Sequence, residues 1–234
     1  MNIQQVAEAL ERFAPLPLQE DYDNAGLQIG LTAAEDVSGV LLCLDVTENV
    51  VREAVAKHCN MIVAHHPLIF RPLSHLTGQT QVERCVAMAL QKGVAVYAAH
   101  TNLDNAPGGV NFMMAEKLAL GQVRFLQQVK DTFGVQALHH NALPSRLIRK
   151  VALCGGAGDF LLDAAIRQQA DAFLTGEMGY HRYFGHEDEI LIGVLGHYQS
   201  EQFTIQLMQR ILHEALPDLR TVVTGENTNP IHTV

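Results

Sequence analysis

The sequence predicts an α/β fold built as two similar α/β lobes that form one compact unit. Short runs of Val, Ile, Leu and Ala alternate with longer segments of helical periodicity. A strand–helix–strand stretch is written twice. Polar side chains cluster just after the apolar runs, where loops begin. Hydrophobic residues make up 48% of the 234 positions, enough for a packed interior and too many for a disordered chain.

Strands are expected at 37–44, 61–64, 95–99, 150–154, 172–175, 190–195 and 220–223, because each run is apolar at successive positions. Helices are expected at 3–13, 48–58, 81–91, 110–118, 160–169 and 201–216, with Thr47 capping the second and Asp159 the fifth. Strands apolar on both faces and separated by helices suggest a largely parallel sheet covered on each side. The weakest pattern runs over 121–149, which reads as a connection or an inserted element. The chain is therefore divided into an N-terminal lobe, 1–120, this connection, and a C-terminal lobe, 150–234.

The repeat carries the argument further. VLLCLDVTENVVREAVAKHCNMIVAHHP, from Val40, lies on VALCGGAGDFLLDAAIRQQADAFLTGEMG, from Val151, without a gap. Cys43 then faces Cys154, and His65–His66 face Gly176–Glu177. Each half goes on to another strand followed by a histidine with a carboxylate four residues later: His100 and Asp104 in AAHTNLD, His197 and Glu201 in LGHYQSE. This predicts two related lobes about a pseudo-two-fold axis.

Ligand groups in α/β sheets gather beyond the carboxyl ends of strands. Adjacent strand residues point to opposite faces, but at a strand end turned by Pro67 the pair His65–His66 can diverge toward two neighbouring ions. A helix starting near Tyr198 would bring His197 and Glu201 together over its first turn. Asp104 sits in a turn-rich stretch. His65, His66, Asp104, His197 and Glu201 thus form a set of three imidazoles and two carboxylates. Such a set suits two divalent ions, Zn, Mn, Fe, Co or Ni, in the cleft between the lobes; calcium prefers oxygen and copper(I) prefers sulfur. His100 and Glu177 are candidates for moving protons. Asp23, Asn24 and Gly26 form a turn with a possible place at a pocket, and GGAGD, from Gly155, reads as a tight turn rather than an anion cradle because no P-loop lysine follows. The pair His139–His140 stands in a polar segment and is expected at the surface.

Other classes are disfavoured. The net charge is −9, which argues against a phosphate-binding face for nucleic acid or anionic membrane. The four cysteines include no C-x-x-C pair and fit buried side chains in a reducing compartment. MNIQQVAEALERF carries acidic residues where a signal peptide would be basic, and no apolar run is long enough to cross a membrane, so the expected location is the cytoplasm.

The ordered motifs YDNAGLQIG, AHHPLIF, AHTNLDNAPGGVN, KVALCGGAG, TGE and GHYQSE resemble the NIF-three-like family over nearly the whole chain. Its members are often labelled GTP cyclohydrolase 1 type 2 homologues or dinuclear metal-centre proteins. The resemblance implies two α/β lobes, a dinuclear site in their cleft and a toroidal homohexamer. It also places the metal ligands on His65, His66, Asp104, His197 and Glu201, the set reached from the strand ends. Some relatives carry an inserted domain near the position of residues 118–125, where only a short connection stands here. The function expected is a metal-dependent hydrolase of a nucleotide or related heterocycle; the competing expectation is a non-catalytic ring scaffold or regulator that keeps its metals.

Overall fold

The computed structural model describes residues 1–30, 36–118, 125–141 and 148–232. In chain order the elements are α1 (Ile3–Phe13), β1 (Gly26–Ile29), β2 (Val40–Cys43), α2 (Glu48–Ala56), β3 (Met61–Ala64), α3 (Gln81–Lys92), β4 (Ala95–Ala98), α4 (Thr101–Asn105), α5 (Val110–Leu118), α6 (Phe125–Phe133), β5 (His139–His140), β6 (Val151–Cys154), α7 (Leu162–Arg167), β7 (Ala172–Thr175), β8 (Leu191–Val194), α8 (His197–Glu201), α9 (Thr204–Ala215) and β9 (Thr221–Val223). The chain divides into two compact units, Met1–Gly109 with Thr204–Thr228, and Val110–Phe203 with Asn229–Val234.

The first unit is built on a five-stranded sheet of order β1-β4-β3-β2-β9. The pairs β2/β3, β3/β4 and β2/β9 are parallel, and β1 closes one edge antiparallel to β4. All four residues of β2, β3 and β4 are buried, as strands covered on both faces must be. Each connecting helix starts on a side-chain cap: Thr47 accepts from the Val50 amide and Thr80 from that of Glu83. At the chain start Asn2 and Gln5 form a reciprocal capping box, and α1 lays Ile3, Val6, Ala7 and Leu10 into the core, where it packs on α9.

The second unit has a four-stranded sheet of order β5-β8-β7-β6, with β6/β7 and β7/β8 parallel and β5 antiparallel to β8. Strand for strand this is the arrangement β1-β4-β3-β2 again, so the repeat seen in the sequence is a repeat of topology. Its core falls into two layers. Met114, Val129, Phe133, Leu174 and Leu195 lie on one side, and Leu162, Phe173, Ile190 and Ile192 on the other.

Several expectations change. The last strand pairs with β2, and α9 packs on α1, so residues 204–228 belong with the first unit rather than to a lobe beginning at 150. Parallel pairing across such a sequence separation leaves no local signal. The stretch 121–149 is more than a connection, since α6 buries Val129 and Phe133 and β5 closes a sheet edge. The expected insertion point lies mostly in residues 119–124, outside the described residues. The helix expected at 201–216 is two helices, α8 and α9. Residues 160–169 open with a 3-10 turn, Asp159–Leu161, and no side chain caps α7, so Asp159 does not take that role. Asp104 lies on α4 rather than in a loop. Among the described residues no helix is long and apolar enough to cross a membrane.

Candidate metal centre

In the first unit the backbone ladder between β2 and β3 continues past the strands: the His65 amide donates to Cys43 O at 3.1 Å and the His66 amide to Leu44 O at 2.9 Å. The two histidines therefore leave the sheet on a fixed backbone. The His65 side chain is fully buried, and its Nδ1 lies 2.8 Å from Ala99 O. A carbonyl can only accept, so Nδ1 holds the proton and Nε2 presents a lone pair. His66 Nδ1 lies 2.8 Å from Asp45 Oδ1, and His100 Nδ1 lies 2.7 Å from Asp23 Oδ1, which sets the same tautomer in both. One ring nitrogen from each of these three histidines falls within 4.8 Å of the others. Asp104 Oδ1 is 3.8 Å from His65 Nε2. Thus the predicted ligands His65, His66 and Asp104 gather in this unit, and His100 stands among them.

The two carboxylates behind the histidines are held ionised. Burial pushes the Asp45 carboxyl up, but the hydrogen bond and charge of His66 and the Thr228 hydroxyl, at 2.7 Å, outweigh it and hold it below the ordinary range. Asp23 has a fully buried side chain. Burial again works against ionisation, yet hydrogen bonds from His100, Thr101 and the Asn24 amide bring its pKa down to about 2. A histidine donating one nitrogen to a carboxylate while the other faces outward is the arrangement that orients imidazole toward a metal. Asp45 escaped the sequence reading although it follows a strand end, the same signal that picked out His65. Asp45→Asn is expected to weaken metal binding about 10- to 100-fold, with the melting temperature in chelator unchanged. Competition against a chelator of known affinity measures it, and an unaltered affinity would remove Asp45 from the site.

In the second unit β8 ends at a turn through Gly196, and α8 begins with His197. His197 Nδ1 lies 2.8 Å from Glu177 Oε1, and its Nε2 lies 3.2 Å from Glu201 Oε2. Glu201 is only 4% exposed, and the predicted pairing over one helical turn is present. Glu177, expected as a proton carrier, stands where the repeat puts His66, and it orients His197. The glycine loop after β6 makes room. At Gly156, φ is +63°, and a Cβ there would clash with Glu201 Oε1. The amides of three loop glycines are already taken: Gly155 N donates to Asn111 Oδ1, Gly156 N to Ser200 Oγ and Gly158 N to Thr175 Oγ1. This bears out the tight turn.

The halves are unequal for a physical reason. Where the first unit has His65, the second has Gly176, and a Cβ on Gly176 would lie 2.6 Å from Gly156 O, 2.6 Å from Ser200 Oγ and 3.0 Å from His197 Cα. No side chain fits there. Where the first unit has Asp45, the second has the turn glycine Gly156. One unit therefore offers three histidines and Asp104, the other His197 and Glu201. Nitrogen and carboxylate donors in this mixture fit borderline divalent ions.

The family model described as Duf34/NIF3 (NGG1p interacting factor 3) matches residues 1–128 and 121–230. A Lactococcus lactis protein named GTP cyclohydrolase 1 type 2 homolog is 33% identical over an alignment that covers all of both chains. NIF3-like protein 1 of Drosophila melanogaster is 31% identical, with 98% of this chain and 88% of that protein covered. Staphylococcus aureus protein SA1388 superposes with a TM-score of 0.89 at 23% identity, over 100% of this chain and 99% of that one, which shows a shared fold. The matched motifs, the two repeated sheets and the histidine–carboxylate clusters at their strand ends agree: the chain belongs to the Duf34/NIF3 family.

Proposed function

We propose that the protein is a metal-dependent hydrolase of a nucleotide or related nitrogen heterocycle, with two divalent ions and His65, His66, Asp104, His197 and Glu201 as the metal ligands. One observation carries the reading. Four histidines, His65, His66, His100 and His197, each keep Nδ1 on an oxygen acceptor, and Nε2 of His65 and of His197 faces the carboxylate of Asp104 and of Glu201. A purely structural histidine has no need of that uniform arrangement. Relatives aligned over 92–100% of the chain bear the name GTP cyclohydrolase 1 type 2 homolog, which supports a purine nucleotide as the first substrate to try.

Bound divalent ions supply Lewis-acid polarisation of the bond under attack and an acidified water. The protein's own part is positioning. The His65 ring is fixed by burial and by Ala99 O, so it can only turn Nε2 outward. Asp45 and Glu177 hold the rings of His66 and His197. His100, backed by the ionised Asp23, is the group placed to accept and return a proton at Nε2. The test is turnover of GTP by metal-loaded protein, before and after chelation, with Asp104→Ala and Glu201→Ala. Turnover is expected to fall at least about 100-fold in each variant. Metal-dependent turnover that survives both would overturn the assignment.

A further inference from the structure

The second unit contains a cavity of about 700 Å³ that opens beside His197 and Glu177. This is within the range of small-molecule sites. Its lining includes Gly134, Gly176 and Gly196, which offer only backbone, and the apolar Val135, Met178 and Ile231. Gln136, Gln199, His139 and His232 are among the polar residues that line it. The sequence alone gave neither histidine a role. Glu177 spends one carboxylate lone pair on His197 Nδ1 and has a half-exposed side chain, so acceptor capacity remains.

The charge of the lining decides what fits. No lysine or arginine lines the cavity among the described residues, and its one carboxylate repels anions. A neighbouring hollow of about 680 Å³, which shares His139 and Met178 and adds Tyr180 and Phe184, has none either. A polyphosphate chain requires fixed cations, and none lines this space among the described residues; the start of the five-residue α8 does line it, at Gly196 and His197, but beside the Glu177 carboxylate, which repels phosphate. An uncharged flat ring with N–H groups on one edge suits it well: apolar walls take the faces, side-chain amides read the polar edge, and Glu177 accepts from the N–H groups.

We infer that this cavity binds the neutral heterocycle of the substrate, a lactam or amino-substituted purine- or pteridine-type ring, and that phosphates stay outside it. The inference rests on the hydrolase reading for the identity of the bound molecule as substrate. It is tested separately, by binding. Metal-loaded protein is titrated with guanosine by calorimetry, alone and with excess inorganic triphosphate. The titration is repeated on Ala137→Trp, which fills the cavity from an exposed position, and on Gln136→Ala, a milder change at another exposed position. Guanosine is expected to bind the parent and to survive the triphosphate. Its affinity should fall at least about tenfold in Ala137→Trp and about threefold in Gln136→Ala, with metal content and melting unchanged. Absence of guanosine binding, displacement by triphosphate, or affinity unaltered in both variants would overturn the inference. Guanosine bound in the cavity without nucleotide turnover would sink the hydrolase reading and leave the cavity assignment standing. Turnover indifferent to both variants would do the reverse.

Discussion

Protein purified without chelator or affinity nickel is expected to carry about two first-row metal atoms per chain, and His65→Ala/Glu201→Ala to carry essentially none. The variant removes one donor from each unit. His65 has a single usable nitrogen, since the other is committed to Ala99 O. Glu201 is nearly buried, and its oxygen beside His197 Nε2 is the carboxylate donor of its unit. A ligand that binds only the folded chain stabilises it in proportion to the logarithm of its excess over Kd. Chelation should therefore lower the parent's melting temperature and leave the double variant's where it was. Elemental analysis and paired thermal melts read both effects. A remetallated parent that still holds no metal would end the metal-centre reading.

Gly176→Ala is expected to lower the melting temperature by about 6–12 °C. The added Cβ meets a backbone oxygen, Gly156 O, at 2.6 Å, and a carbonyl that accepts from the Glu177 amide at 3.0 Å and the Thr175 hydroxyl at 3.2 Å cannot swing aside as a side-chain tip can. Overpacking of this kind costs about 3 kcal/mol at its upper end, and each kcal/mol moves a chain of this size by roughly 2–4 °C. The same Cβ presses on His197 Cα and Ser200 Oγ, so the second unit should also hold metal less well. Scanning calorimetry with metal titration checks both. A shift below about 2 °C would show that the glycine loop gives way.

Much of this was legible before any coordinates. β2, β3, β6 and β7 declare themselves because they are apolar at every position but Thr175, and a gapless 111-residue offset relates 40–43 to 151–154 and 61–64 to 172–175. The candidate site residues stood out because polar groups at strand ends need a reason to be there, and whether they hold metal is for the elemental analysis to say. What escaped depended on partners distant in sequence. β1 and β5 are edge strands, the latter of two exposed residues, and they exist as strands only through pairing with β4 and β8. The break between α8 and α9 interrupts a stretch whose helical pattern runs on, and Gln202 there reaches Phe133 O, a contact nothing local announces. Asp45 and Asp23 look like ordinary turn acids until His66 and His100 are placed against them.

The pairing of β2 with β9 has a consequence in time. Val40 lies opposite Thr221, so the sheet begun by the earliest strands cannot gain its outer member until the chain has been made past residue 221. The second sheet draws only on residues between His139 and Val194 and can be laid down sooner. During synthesis, which delivers residues from the N-terminus onward, β2 therefore keeps an unpaired flank while the later sheet assembles. Bringing the ends of so long a loop together adds only about (3/2)RT ln n to the entropy of closure, so the delay is one of order rather than of affordability. For this nascent chain, the part that starts first is the part that finishes last.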